Sequence, residues 1–189
     1  FRVVPNVMLE RSDAQVYFKQ DIPLKKLDEY IDRKLEEGIR FSYMDIIYSA
    51  IVRIIKERPQ LNRFAMHGTL YERDGIYVTL TIKKGLEDNT PETTVKLRFT
   101  GDENIFEVSE ILQKEIEKNK KLTEENSTDK LVGVLSIIPD FMLRWLVKFL
   151  WFLDKHGLLP RAILEASPFH TSAFLTNVGS LGIDSIYHH

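Results

Sequence analysis

Ten residues, Phe174-Leu175-Thr176-Asn177-Val178-Gly179-Ser180-Leu181-Gly182-Ile183, constrain this chain most, because they read as a buried strand running directly into a glycine-punctuated turn. Apolar residues lead into a hydroxyl and an amide, Thr176 and Asn177. Gly179 and Gly182, three apart, then admit positive φ or a close approach of backbone to a ligand. A strand end of this kind can aim a hydroxyl at a reacting atom. The short, nearly continuous apolar run over 171–176 predicts an interior member of a sheet, faced on one side by helices at 23–38 and 43–57.

Those helices follow from period and punctuation. Pro23 suits a first helical turn, Leu24, Leu27, Tyr30, Ile31 and Leu35 recur at steps of three and four, and Gly38 offers a C-terminal cap. Ser42 with Asp45 has the spacing of a capping box, and the apolar face running from Tyr43 to Ile55 ends at Pro59. The period then changes to two. Phe64, Met66, Gly68 and Leu70, a turn at Arg73-Asp74-Gly75, then Ile76, Val78, Leu80 and Ile82 predict a hairpin, with a further strand through Val95, Leu97 and Phe99. Asp102 is a candidate cap for a helix over 105–118, and the charged run 118–130 reads as a solvated loop. The order strand, helix, helix, hairpin, strand, helix, helix, strand implies an α+β layout with a mixed sheet.

The stretch 131–153 is apolar and long enough to raise the question of a membrane span, for which about 20 helical residues suffice. Its charges argue otherwise. Pro139-Asp140 interrupts it, and Arg144 and Lys148 sit one turn apart, so two helical pieces are expected, the second an amphipathic helix over 141–156.

Composition narrows the function classes. A length of 189 residues suits one domain, 1–189, with the apolar helical segment 131–165 inside it. The formal net charge is −2 and no arginine stripe interleaved with aromatics occurs, so nucleic acid is not an expected partner. No cysteine is present, which removes thiol nucleophiles and thiolate metal sites and fits a reducing, cytoplasmic compartment. There is no His-x-x-x-His spacing, no phosphate-cradling Gly-Lys-Ser/Thr loop and no Gly-x-Ser-x-Gly nucleophile elbow, and no metal is expected.

Segment 174–183 resembles the Phe-Thr-x-Ser-Asn-Leu-Gly-x-x-Gly-Ile signature of the dihydrolipoyl acyltransferase catalytic domains, the second component of 2-oxo acid dehydrogenase complexes, which share a fold with chloramphenicol acetyltransferase. Thr176 stands in the place of the family's serine. The resemblance extends to Arg11-Ser12-Asp13-Ala14-Gln15 with the extended run 16–22, similar to the strand that precedes the family's first long helix, and to the helix over 43–58 closing in Pro59-Gln60-Leu61-Asn62. It covers, with gaps, most of 11–100 and then 170–183.

What this resemblance implies is a two-layer α+β sandwich with a mixed sheet, truncated at its C-terminal side. The implied activity is transfer of an acyl group between coenzyme A and an acceptor thiol or hydroxyl. A histidine takes the acceptor's proton and the Thr176 hydroxyl stabilises the oxyanion, while Asn177 and Gly179 border coenzyme A. A homotrimer with interfacial active sites is implied too. The family's His-x-x-x-Asp-Gly motif is absent from 1–189, which places the catalytic histidine beyond the chain end. Lys83-Lys84-Gly85-Leu86-Glu87-Asp88-Asn89 stands where complex-forming members carry a proline-rich stretch, so a multienzyme complex is not implied. The rival reading is a non-catalytic interaction protein on the same fold. It docks a partner or a membrane surface through 141–164, where Trp145 and Trp151 lie among Arg144, Lys148 and Lys155.

Overall fold

A computed structural model describes residue 7 and residues 14–83, 92–121 and 138–177. Helix α1 (Lys25–Glu36) ends where Gly38 takes φ +80 and donates to the Leu35 carbonyl at 2.9 Å while Ile39 donates to that of Lys34 at 2.8 Å. Only a residue tolerant of the left-handed region closes a helix this way. Helix α2 (Tyr43–Glu57) begins in the expected capping box: the Ser42 amide donates to Asp45 Oδ2 at 2.6 Å and the Asp45 amide to Ser42 Oγ at 3.3 Å. It stops at Pro59, which opens a 3-10 turn, Pro59–Asn62.

The period-two stretch forms a hairpin of β1 (Arg63–Met66) with β2 (Thr69–Glu72), and the turn is not the expected one. It lies at His67-Gly68, both at positive φ, 51 and 70, the backbone that a two-residue turn between twisted strands requires. Arg73-Asp74-Gly75 instead carries the chain out of this sheet into β3 (Ile76–Lys83). That strand pairs antiparallel with β4 (Glu92–Phe99), Ile76 opposite Phe99 and Lys83 opposite Glu92.

Helix α3 (Ile105–Lys121) is capped by Asn104 rather than Asp102. The Asn104 side chain accepts from the Phe106 and Glu107 amides, and Glu107 accepts from the Asn104 amide at 2.8 Å. Asp102 is engaged elsewhere, in an ion pair with Lys56 at 3.0 Å. Helix α4 (Asp140–Lys155) starts directly after Pro139, as the proline break predicts, and the piece expected over 131–138 falls almost wholly outside the described residues. No described helix is long and apolar enough to cross a membrane. A short helix, α5 (Arg161–Ala166), leads to β5 (Ala173–Leu175).

Strand β5 pairs in parallel with β3, Val78 opposite Ala173 and Leu80 opposite Leu175, giving a mixed sheet in the order β4, β3, β5. The fold is therefore α+β. The interior position expected for 171–176 is not observed, since among the described residues β5 has one neighbour and forms the sheet's edge. The core lies on one face. Ile76, Val78, Leu80 and Ile82 of β3 and Val95, Leu97 and Phe99 of β4 meet Tyr48, Val52 and Ile55 of α2 and Val108 and Leu112 of α3.

Thus α2 covers the sheet as expected, and its companion there is α3, not the helix of 23–38. The two helices that supply buried residues occupy that face. Helix α1 buries none; it lies against the segment ahead of α2 and the first residue of α2, where Tyr30 stacks on Phe41 and Tyr43 donates to Asp28. The run 16–22 does not form the expected strand either, and Phe18 is 78% exposed. A strand needs a partner edge, and this run pairs with none of the described strands.

Candidate functional site

The 171–177 segment is held to β3 before its strand begins. Thr171 Oγ1 and the Ser172 amide both donate to the Tyr77 carbonyl, at 2.6 and 2.7 Å, and the Tyr77 amide donates back to Ser172 Oγ at 2.9 Å. Thr79 Oγ1 donates to the Pro168 carbonyl at 3.2 Å. These bonds set the register that delivers Thr176 and Asn177 at the exit of β5, where both are exposed. The Thr176 hydroxyl has no hydrogen-bond partner among the described residues. Gly179 lies outside them, as do Gly182, His188 and His189.

The three described histidines take other work. The His67 ring meets that of His156 at 5.3 Å, which seats the β1–β2 turn on the end of α4; close by, Met66 packs against Gly157. His156 follows the last turn of α4 and its Nδ1 lies 2.7 Å from the Phe152 carbonyl, the helix-end position that suits a cationic ring. His170 stands between two side chains, Nε2 at 3.0 Å from Asp154 Oδ1 and Nδ1 at 2.8 Å from Ser167 Oγ.

A carboxylate only accepts, so Nε2 is the donor to Asp154, while Nδ1 and the Ser167 hydroxyl share the second contact. This relay was invisible in the sequence, because Asp154 lies on α4 and His170 in the loop before β5. His170 and Thr176 sit at opposite ends of β5, whose three residues alone span about 10 Å. The ring's local ties to Ser167 and Asp154 read as a latch holding the loop to α4.

The sheet's second face is polar. Tyr77, Thr79 and Thr81 of β3 stand opposite Arg98, Lys96 and Thr94 of β4. Burial, reinforced by the nearby Arg73 guanidinium and opposed by Glu165, lowers the Lys96 ammonium to about 8. An open depression of about 480 Å³ lies elsewhere, walled by Asp140, Phe141, Arg144, Trp145 and Lys148 of α4 and not by the surroundings of Thr176. Among the described residues no group of three or more metal-ligating side chains gathers.

No protein-family model and no curated protein matches this chain. Among solved structures it is similar to that of a probable dihydrolipoamide acetyltransferase from Listeria monocytogenes 4b F2365, at 16% identity and a TM-score of 0.48, over 85% of this chain and 53% of that one. The chain thus spans about half the length of that protein.

Proposed function

We propose that this chain is part of a coenzyme A-dependent acyltransferase with a chloramphenicol acetyltransferase-like two-layer sandwich. The observation that carries the reading is the division of segment 174–183 in space: its apolar start is a parallel strand beside β3, and its hydroxyl emerges exposed at the strand's end. A hydroxyl there, free of competing partners among the described residues, suits a donor to charge that develops on a substrate. Acyl-coenzyme A is the substrate. A histidine base, from a His-x-x-x-Asp-Gly segment outside residues 1–189, takes the proton of the acceptor thiol or hydroxyl as that atom attacks the thioester carbonyl. Thr176 Oγ1–H donates to the resulting oxyanion, and the coenzyme A thiolate leaves when the carbonyl re-forms.

Asn177 and Gly179 border the coenzyme A in this proposal, and further walls come from outside the described residues or from other subunits of a homotrimer. The test is release of coenzyme A thiol by the full-length protein, offered acetyl- or longer acyl-coenzyme A and a dithiol acceptor. Release that depends on Thr176 supports the reading. A full-length protein that binds no coenzyme A and releases none removes it.

A further inference from the structure

Helix α4 holds two apolar stripes, and the fold uses one. Leu143, Leu146, Leu150 and Leu153, at steps of three and four, are half-buried. A neighbouring stripe, Phe141, Trp145, Phe149 and Phe152, faces solvent: Phe141 is 67% and Trp145 74% exposed, and no residue of the helix is fully buried. Exposing four large aromatics in one line forgoes a large hydrophobic gain, and a contiguous patch of this kind marks a contact surface.

The charges beside it indicate what it contacts. Arg144, Lys148 and Lys155 are exposed along the edge of the aromatic stripe, and among the described residues none has a carboxylate partner. Lys148 Nζ instead lies 5.9 Å from the Trp145 ring centre. Of the two acidic residues of the helix, Asp154 turns to His170, and Asp140 stands at the first turn beside Arg144, leaving the cations in excess along this edge. The cations are thus collected on the aromatic side although the chain as a whole is slightly acidic, at −2. A protein–protein contact of ordinary composition is depleted in lysine, whereas an amphipathic helix lying in a lipid interface pairs Trp and Phe with flanking Lys and Arg.

We infer that the Phe141, Trp145, Phe149 and Phe152 face of α4, with Arg144, Lys148 and Lys155 along its edge, docks this protein on an anionic lipid surface. The helix lies parallel to that surface, aromatic rings at the acyl boundary and cations among the headgroup phosphates, while His156 against His67 and Asp154 against His170 tie it to its own domain. Contact is peripheral, in line with a helix too short and too charged to span. It is independent of the acyl-transfer reading.

Co-sedimentation with vesicles tests it, using phosphatidylcholine alone and phosphatidylcholine with roughly one third phosphatidylserine. The full chain is expected to sediment with the anionic vesicles, less so at high salt, with a blue shift of tryptophan fluorescence. Arg144→Glu with Lys148→Glu should weaken binding roughly 30-fold or more, as two surface cations are lost, and Trp145→Ser should abolish the shift attributable to that ring. Both changes lie on exposed positions, and far-ultraviolet circular dichroism checks that the variants keep their helices. Equal binding to both vesicle types, no binding to either, or an oligomer in solution whose Trp145 is already shielded from quencher would each overturn the proposal, the last by making a second copy the occupant.

Discussion

Lys96 Nζ donates a 2.6 Å hydrogen bond to the carbonyl oxygen of Leu164, tying the polar face of the sheet to α5. The contact takes the ammonium partly out of water, and burial lowers it to about 8. An unfolded lysine titrates near ~10.4. Between those values the unfolded chain binds more protons than the folded one, so this group's contribution makes stability rise with pH from about 8 to about 10 and stay level below. Urea unfolding midpoints of wild type and Lys96→Met across that interval isolate it. The difference between the two should change in favour of wild type as pH rises, and a difference that stays constant would show an ordinary lysine.

Gly101 sits at φ +93, and a Cβ built there would come within 2.6 Å of Lys56 Cδ. Lys56 Cβ lies 3.0 Å from the same point, and that atom is fixed by the backbone of α2. Gly101→Ala should therefore cost about 1–2 kcal/mol from backbone strain alone, with the side-chain clash added. Adding Lys56→Ala removes the Cγ and Cδ contacts, leaving only Lys56 Cβ at 3.0 Å, and should recover part of the loss. Equal denaturation midpoints for Gly101→Ala and wild type would refute the conformation.

Tyr48 is fully buried under the sheet, and its hydroxyl has no hydrogen-bond partner among the described residues. Burial pushes the phenol's pKa up, the direction expected where the charged form is excluded from water. Removing an unsatisfied buried hydroxyl while keeping the ring should be neutral or stabilising by up to about 1 kcal/mol. Thermal unfolding of Tyr48→Phe measures this, and a clear loss of stability would reveal a partner for the hydroxyl.

Within the proposed mechanism, Thr176→Ala in the full-length protein should lower kcat for acyl transfer by about 100-fold or more with KM nearly unchanged, because an oxyanion donor acts mainly in the transition state. Thr176→Ser keeps the hydroxyl and should retain most activity. Wild-type turnover by the alanine variant would reduce Thr176 to a strand residue.

Much of the local structure was legible because it is written at short spacing. Ser42 and Asp45 stand three apart and cap α2; Gly38 closes α1; Pro59 and Pro139 bound α2 and α4; Ile76, Val78, Leu80 and Ile82 put every second side chain on the buried face. Each is a contest decided within a turn or two of chain. The misplaced cap shows the limit even there: Asp102 and Asn104 are both good caps, Asn104 takes the helix amides, and Asp102 pairs with Lys56 of another helix.

What the sequence by itself determined, then, is the helices near 25–36, 43–57, 105–121 and 140–155, the strands through 76–82 and 93–99, the α+β class, and a hydroxyl and an amide at the end of a strand. The tertiary structure alone decided that α3 and not α1 lies beside α2 on the sheet and that, among the described residues, β5 takes an edge beside β3 and residues 16–22 pair with no strand. It alone brought Asp154, His170 and Ser167 together and left the aromatic side of α4 facing outward. Periodicity states which side of an element is apolar, but not which surface it meets; that depends on competition among all the apolar faces for one sheet, and α2 and α3 supply the side chains that fill it.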